Sequence, residues 1–216
     1  VTLLEPNPGG MSIVLAGAWN RAIFTPQWMI GRLTQATDIN IEVPLGNPSL
    51  AIRFLFDRLT LRVENDRLII VADHEDPDSL QRAQKVAVKI LEDLPHTPIK
   101  GAGINLQFLA GNPEPNGKLI SMFRLSDDGS LADAHLKVMA TSIERKISDD
   151  KQIITLLLSY QEDSKILVSL NFHTEAKTAE DAKICLSNDL KQITARAAEI
   201  LESVYGATLN QVEEFA

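Results

Sequence analysis

The feature that most constrains this chain is a pattern it carries twice: a strand–turn–strand alternation followed by an amphipathic helical stretch. Leu59-Thr60-Leu61-Arg62-Val63-Glu64 alternates apolar and polar residues, Asn65-Asp66 has turn chemistry, and Leu68 to Ala72 resumes a strand. From about Ser79 to Leu94 the spacing becomes helical, with Leu80, Ala83, Ala87, Ile90, Leu91 and Leu94 on one face and Arg82, Lys85 and Lys89 on the other. Pro95 and Pro98 end it. In the second half, Ile153 to Tyr160 and Ile166 to Phe172 form the hairpin across the polar turn Gln161 to Lys165. Thr178 then caps a helix, with Asp181 three residues on, and an apolar stripe runs from Leu186 to Val204 before Gly206 stops it. At about 1.5 Å per residue that helix would reach roughly 40 Å.

Upstream of each hairpin the pattern continues more loosely. Ser12 to Ala16 is strand-like, Thr25-Pro26 opens a short helix through Trp28, Met29 and Leu33, and Ile39 to Leu45 and Ala51 to Phe56 add strands. In the second half Ile104 to Leu109 is a strand, Lys118 to Leu125 a short helix, and His135 to Ile147 one long strand or two short ones. The expected fold is therefore α+β: an antiparallel sheet covered by long helices, built from two similar halves as in helix-grip or saddle-like duplications. Residues 1–98 form the first half and 99–216 the second, packed as one unit, because each alone is near the lower limit of independent stability. The Gly111 to Gly117 stretch, with Pro113 and Pro115, reads as an inserted loop.

Charge and cysteine content narrow the setting. Of 216 residues, 29 are Asp or Glu against 21 Lys or Arg, a net charge of −8 that disfavours phosphate-backbone binding. The longest apolar runs fall far short of a membrane span, and Val1 to Gly10 lacks the basic, then apolar, pattern of a secretion signal. A single cysteine, Cys185, forms neither an internal disulfide nor a Cys-x-x-Cys zinc site. The expected location is the cytoplasm, with no nucleic-acid partner and no membrane.

Ala22-Ile23-Phe24-Thr25-Pro26-Gln27-Trp28 and Leu94-Pro95-His96-Thr97-Pro98-Ile99, followed by Gly103-Ile104-Asn105, resemble a family of small uncharacterised bacterial proteins of unknown function. The resemblance covers the first half of the chain. It implies a bacterial source and a recurring two-part fold, and it transfers no functional residue.

Candidate chemistry is sparse. The run from Asp73 to Asp78 contains the weak metal candidates Asp73, His74 and Glu75, but acids ahead of a helix are accounted for by its dipole and by capping. No metal and no cofactor is expected. His74 and His173 occupy comparable places near the end of each hairpin's second strand and before the long helix, which would suit proton transfer or metal ligation, yet no nucleophile sits beside either. Cys185, in the first turns of the last helix, would have its pKa lowered by the dipole or be a small core residue. Gly101-Ala102-Gly103 leads into a strand, not into the helix a dinucleotide fingerprint needs. Arg58 and Arg62, at even separation, are expected on one sheet face.

Without a catalytic constellation, the expected function is a non-enzymatic protein-interaction or assembly protein, a homo-oligomer or the adaptor of a bacterial complex. Contact would come through a sheet face or a strand edge, with His135 to Ile147 a candidate edge. The partner-binding candidates are Trp19, Trp28, Arg58, Arg62 and Phe215. The alternative is a small-molecule binding module with an apolar cavity between helix and sheet, lined by Phe54, Phe56, Leu61, Leu156, Leu158 and Phe172. An enzyme comes third.

Overall fold

Alternation of buried and half-buried side chains marks strands such as Leu59–Val63 and Ile166–Glu175. The computed structural model describes residues 2–7, 9–44, 51–72, 78–111, 113, 117–148, 152–161, 165–187 and 190–210. The chain begins with β1 (Thr2–Pro6) and β2 (Ser12–Gly17), a 3₁₀ turn at Arg21–Ile23, and α1 (Pro26–Met29). Then come β3 (Asn40–Glu42), β4 (Arg53–Phe56), β5 (Leu59–Val63), β6 (Arg67–Ala72) and α2 (Ser79–Asp93). The remainder is β7 (Ile99–Ala110), α3 (Lys118–Ser121), α4 (Asp128–Asp133), β8 (Ala140–Ser148), β9 (Ile153–Gln161), β10 (Ile166–Glu175), α5 (Ala179–Leu186), α6 (Leu190–Tyr205) and β11 (Ala207–Leu209).

Eleven strands make one sheet in the order β3-β4-β5-β6-β2-β7-β10-β9-β8, with β1 pairing both β7 and β11 off that path. All of these pairs are antiparallel except β1 with β11. Sequence before and after residue 98 therefore shares one sheet, joined where β2 pairs with β7 from Ser12↔Asn105 to Gly17↔Ile99. At that junction Gly17 follows a register shift, and a Cβ on it would lie 2.5 Å from the Pro98 carbonyl oxygen. Only a glycine lets the two backbones come this close.

One face of the sheet carries the core. Leu59, Leu61, Val63, Ile154, Leu156, Leu158, Val168 and Leu170 all lie on it and are almost fully enclosed, each contributing about 1.5–3 kcal/mol of burial. The helices α2 and α5 pack against each other, α2 over β6 and β2 and α5 over β7 and β10, while α6 lies chiefly against β11. The opposite face carries two polar rows across β7. In one, Asn7 Nδ2 donates to Gln107 Oε1 (2.5 Å) and Gln107 Nε2 to Ser169 Oγ (2.8 Å). In the other, Asn171 Nδ2 donates to Asn105 Oδ1 (2.6 Å) and Asn105 Nδ2 to Ser12 Oγ (2.9 Å).

This architecture corrects the expected sheet covered by long helices in a helix-grip or saddle-like form. The sheet dominates, and its longest helices have 15 and 16 residues. The helix expected from Thr178 to Gly206 is two, because α5 ends after eight residues where the Ser187 hydroxyl bonds back to the Lys183 carbonyl (2.8 Å). Serine favours such local bonds over helix continuation. The strand expected from His135 begins only at Ala140, since His135 has a positive φ of 59° and Leu136 to Met139 precede the ladder.

Candidate functional site

The last strand of the sheet, β8, is a candidate site because of its place at the end of the strand order. β8 pairs along its whole length with β9, from Ala140↔Gln161 to Ser148↔Ile153, and among the described residues no strand pairs its other side. Nine residues at about 3.3 Å each present roughly 30 Å of edge, along which alternate N–H and C=O groups point outward. The strand at the opposite end of the sheet, β3, has three residues.

The side chains of β8 divide between the faces. Ile143 lies opposite the buried Leu158 and Ile147 opposite Ile154, so Ile143, Arg145 and Ile147 share the core side. Ser142, Glu144 and Lys146 share the other, where Lys146 Nζ stands 4.0 Å from Glu144 Oε1 and the Ser142 and Ser159 hydroxyls are 3.1 Å apart. Large apolar side chains are exposed at both ends of this edge: Val138 and Met139 (60%) before it, Ile147 (36%) and Ile153 (40%) at its far end. An edge with charges in its middle resists indiscriminate strand pairing and selects a partner of matching charge.

A second feature is a cavity of about 360 Å³ between the sheet and α5–α6, bordered by Ile104, Phe172, Cys185, Gln192 and Arg196 among others. Cys185 is the seventh residue of α5, and burial together with Asp181 pushes its thiol above the ordinary value instead of the dipole lowering it. That disfavours the thiolate a nucleophile needs. Of the six residues expected to line a cavity, Phe172 borders this one and Phe56 a more open cleft at the β4–β5 turn. Phe54, Leu61, Leu156 and Leu158 are packed in the core.

The partner-binding candidates are scattered. Trp19 is 5% exposed, and its indole N–H donates to the Leu15 carbonyl at 3.0 Å, so it offers no docking surface. Trp28 is half-buried, with the Phe24 ring on edge at 5.2 Å and the Arg32 guanidinium 5.7 Å from its centroid. Arg58 occupies the tight β4–β5 turn, where Asp57 and Arg58 have φ of 48° and 59°, whereas Arg62 lies inside β5 opposite Arg53. They do not share a sheet face as expected, because the turn consumes Arg58. Phe215, Asp73, His74 and Glu75 lie outside the described residues. His173 sits on the face opposite the core over Gly101, whose Cβ would come within 2.5 Å of the imidazole Cε1.

Among the described residues no three His, Cys, Asp or Glu side chains converge as a metal site would require, and no helix is long and apolar enough to cross a membrane. Sequence reasoning named the His135 to Ile147 region but missed Glu144, Arg145, Lys146 and Ile147 individually. Their signal was a charged triplet, Glu144-Arg145-Lys146, flanked by isoleucines four positions apart in a strand. No protein-family model matches the chain, and no curated protein sequence matches it either.

Proposed function

We propose that this chain is a non-enzymatic protein-interaction or assembly protein, an adaptor whose β8 edge takes up a strand from another polypeptide. The observation that carries this reading is a nine-residue terminal strand that, among the described residues, pairs on one side only, with exposed apolar side chains at both ends. Strand addition gives affinity through main-chain hydrogen bonds, and the alternating side chains supply selectivity. The runner-up is a small-molecule binding module. It is favoured by the cavity at Phe172 and Arg196, whose size lies in the range of ligand sites.

The test is solution mass by light scattering with affinity capture from the native host, on the wild type and on Met139→Glu/Ile147→Glu. Both side chains are exposed, so the variant should keep its circular dichroism and melting temperature. The expected outcome is a mass above 23.8 kDa or a stoichiometric partner for the wild type, with loss of either in the variant. A clean monomer without partner, or an assembly indifferent to the double substitution, rejects the edge reading and directs attention to the cavity.

A further inference from the structure

We propose that the occupant of the β8 edge is the β8 edge of a second copy, the two strands running antiparallel about a two-fold axis at Arg145. The inference rests on the edge reading above and gives it a partner and a register.

A two-fold axis between antiparallel strands stands perpendicular to the sheet. Each face of one copy then continues into the same face of the other, and facing residues have numbers with a constant even sum. With the axis at Arg145, Glu144 faces the second copy's Lys146 and Ile143 faces its Ile147, and symmetry makes each contact twice. Opposite charges and apolar pairs set directly across from each other stabilise a ladder. A shift of two in that sum destroys this pattern. Centred on Glu144, the acid faces itself, Arg145 faces Ile143 and Lys146 faces Ser142; centred on Lys146, the ammonium faces itself and Arg145 faces Ile147.

The cost of the favoured register is one like pair, Arg145 against Arg145 at the axis, where both side chains are exposed to water. Net charge opposes association as well, since each copy carries −8. At physiological salt that repulsion is screened beyond about 8 Å, leaving the local pairs to decide. Within a single chain Glu144 and Lys146 already stand 4.0 Å apart with side chains 57% and 71% exposed. Pairing therefore moves two solvated ions across a strand boundary and requires no buried charge. A strand pair of this length is a small interface, so the dimer should dissociate on the order of micromolar concentration.

The experiment is analytical ultracentrifugation of the purified chain and of E144K and K146E, alone and mixed. Each single variant sets two like charges face to face and should raise the dissociation constant at least about tenfold. Mixed in equal amounts, every substituted position faces an opposite charge, and dimer should return to within about threefold of the wild type. R145T removes the like pair at the axis and should tighten the dimer. All these side chains are exposed, so unchanged circular dichroism confirms intact folds.

A wild type that stays monomeric across the micromolar range overturns the second copy as occupant. If it still captures another protein that Met139→Glu/Ile147→Glu loses, the edge reading stands without it. A wild-type dimer whose two charge variants fail to recover on mixing overturns the register. A dimer untouched by the Met139→Glu/Ile147→Glu substitution overturns the edge reading itself.

Discussion

Individual positions show how local geometry is set by a few atoms. Arg58 holds φ at 59° in the β4–β5 turn, beside Asp57 at 48°, a conformation that costs a residue with a Cβ about 1–2 kcal/mol. Glycine avoids that cost but is favoured in the unfolded chain by about 0.5–1 kcal/mol. Arg58→Gly should therefore stabilise the fold by about 0.5–1 kcal/mol, read as a higher urea midpoint at unchanged slope; a lower midpoint would show that the arginine side chain makes an indispensable contact. Asn105 works oppositely, as the centre of a hydrogen-bonded row. Asn105→Ala leaves Ser12 and Asn171 without the groups they bond, at a cost of about 1–2 kcal/mol. An unchanged midpoint would mean that water replaces the amide fully. Trp19 teaches a different lesson: by residue type it is either a surface anchor or, more commonly, a core residue with its indole N–H bonded, and its neighbours place the indole inside with its N–H on Leu15. A residue type states what a side chain is able to do, and packing decides where it does it.

At the scale of elements, the clearest local signal was the start of α5. Thr178 and Asp181 form a capping box, with the Asp181 amide donating to Thr178 Oγ1 at 3.0 Å and the Thr178 amide donating to Asp181 Oδ2 at 3.0 Å. The Thr178 hydroxyl first, and the Lys177 and Thr178 amides with it, hold the Asp181 carboxyl below its ordinary value of 3.8. A depressed folded pKa means the stabilisation is fully present above the unfolded value and is lost as pH falls through the folded one. The stability difference between wild type and Asp181→Asn should thus be constant at neutral pH and shrink as the pH drops below 3.8; a difference independent of pH would show that the box works without its charge. Both hairpins and α2 were equally legible, because alternation at two residues and stripes at three and four are properties of neighbours in sequence. The break between α5 and α6 was not, since an apolar stripe continuing from Leu186 to Val204 conceals a cap at Ser187. The strands β1 and β11 escaped notice for another reason: Pro6 and the glycines at 9 and 10 follow β1, Gly206 precedes the three-residue β11, and β11 is a strand through its pairing with β1, which also pairs with β7.

On the scale of the whole molecule, the functional reading is a proposal about a class of protein. The prediction that belongs here is assembly through β8, with a mass above the monomer's and a dependence on the Glu144–Lys146 charge pattern. Sequence by itself determined where the β5–β6 and β9–β10 hairpins turn, where α2 and α5 begin, which side chains face a common core, and that no apolar run is long enough for a membrane-spanning helix. Each of these follows from short-range spacing or from sums over the chain. Tertiary structure decided the strand order, the joining of both halves through β2 and β7 at Gly17, the burial of Trp19, and the placing of Arg58 in a turn. It also decided which strand lies at the end of the sheet. A strand's own residues make it extended, but its neighbours are chosen by the collective burial of one face, so an edge is defined by the place the rest of the chain leaves open beside it. That is why Glu144, Lys146 and Ile147 become candidates only through the pairing of β8, which among the described residues is with β9 alone.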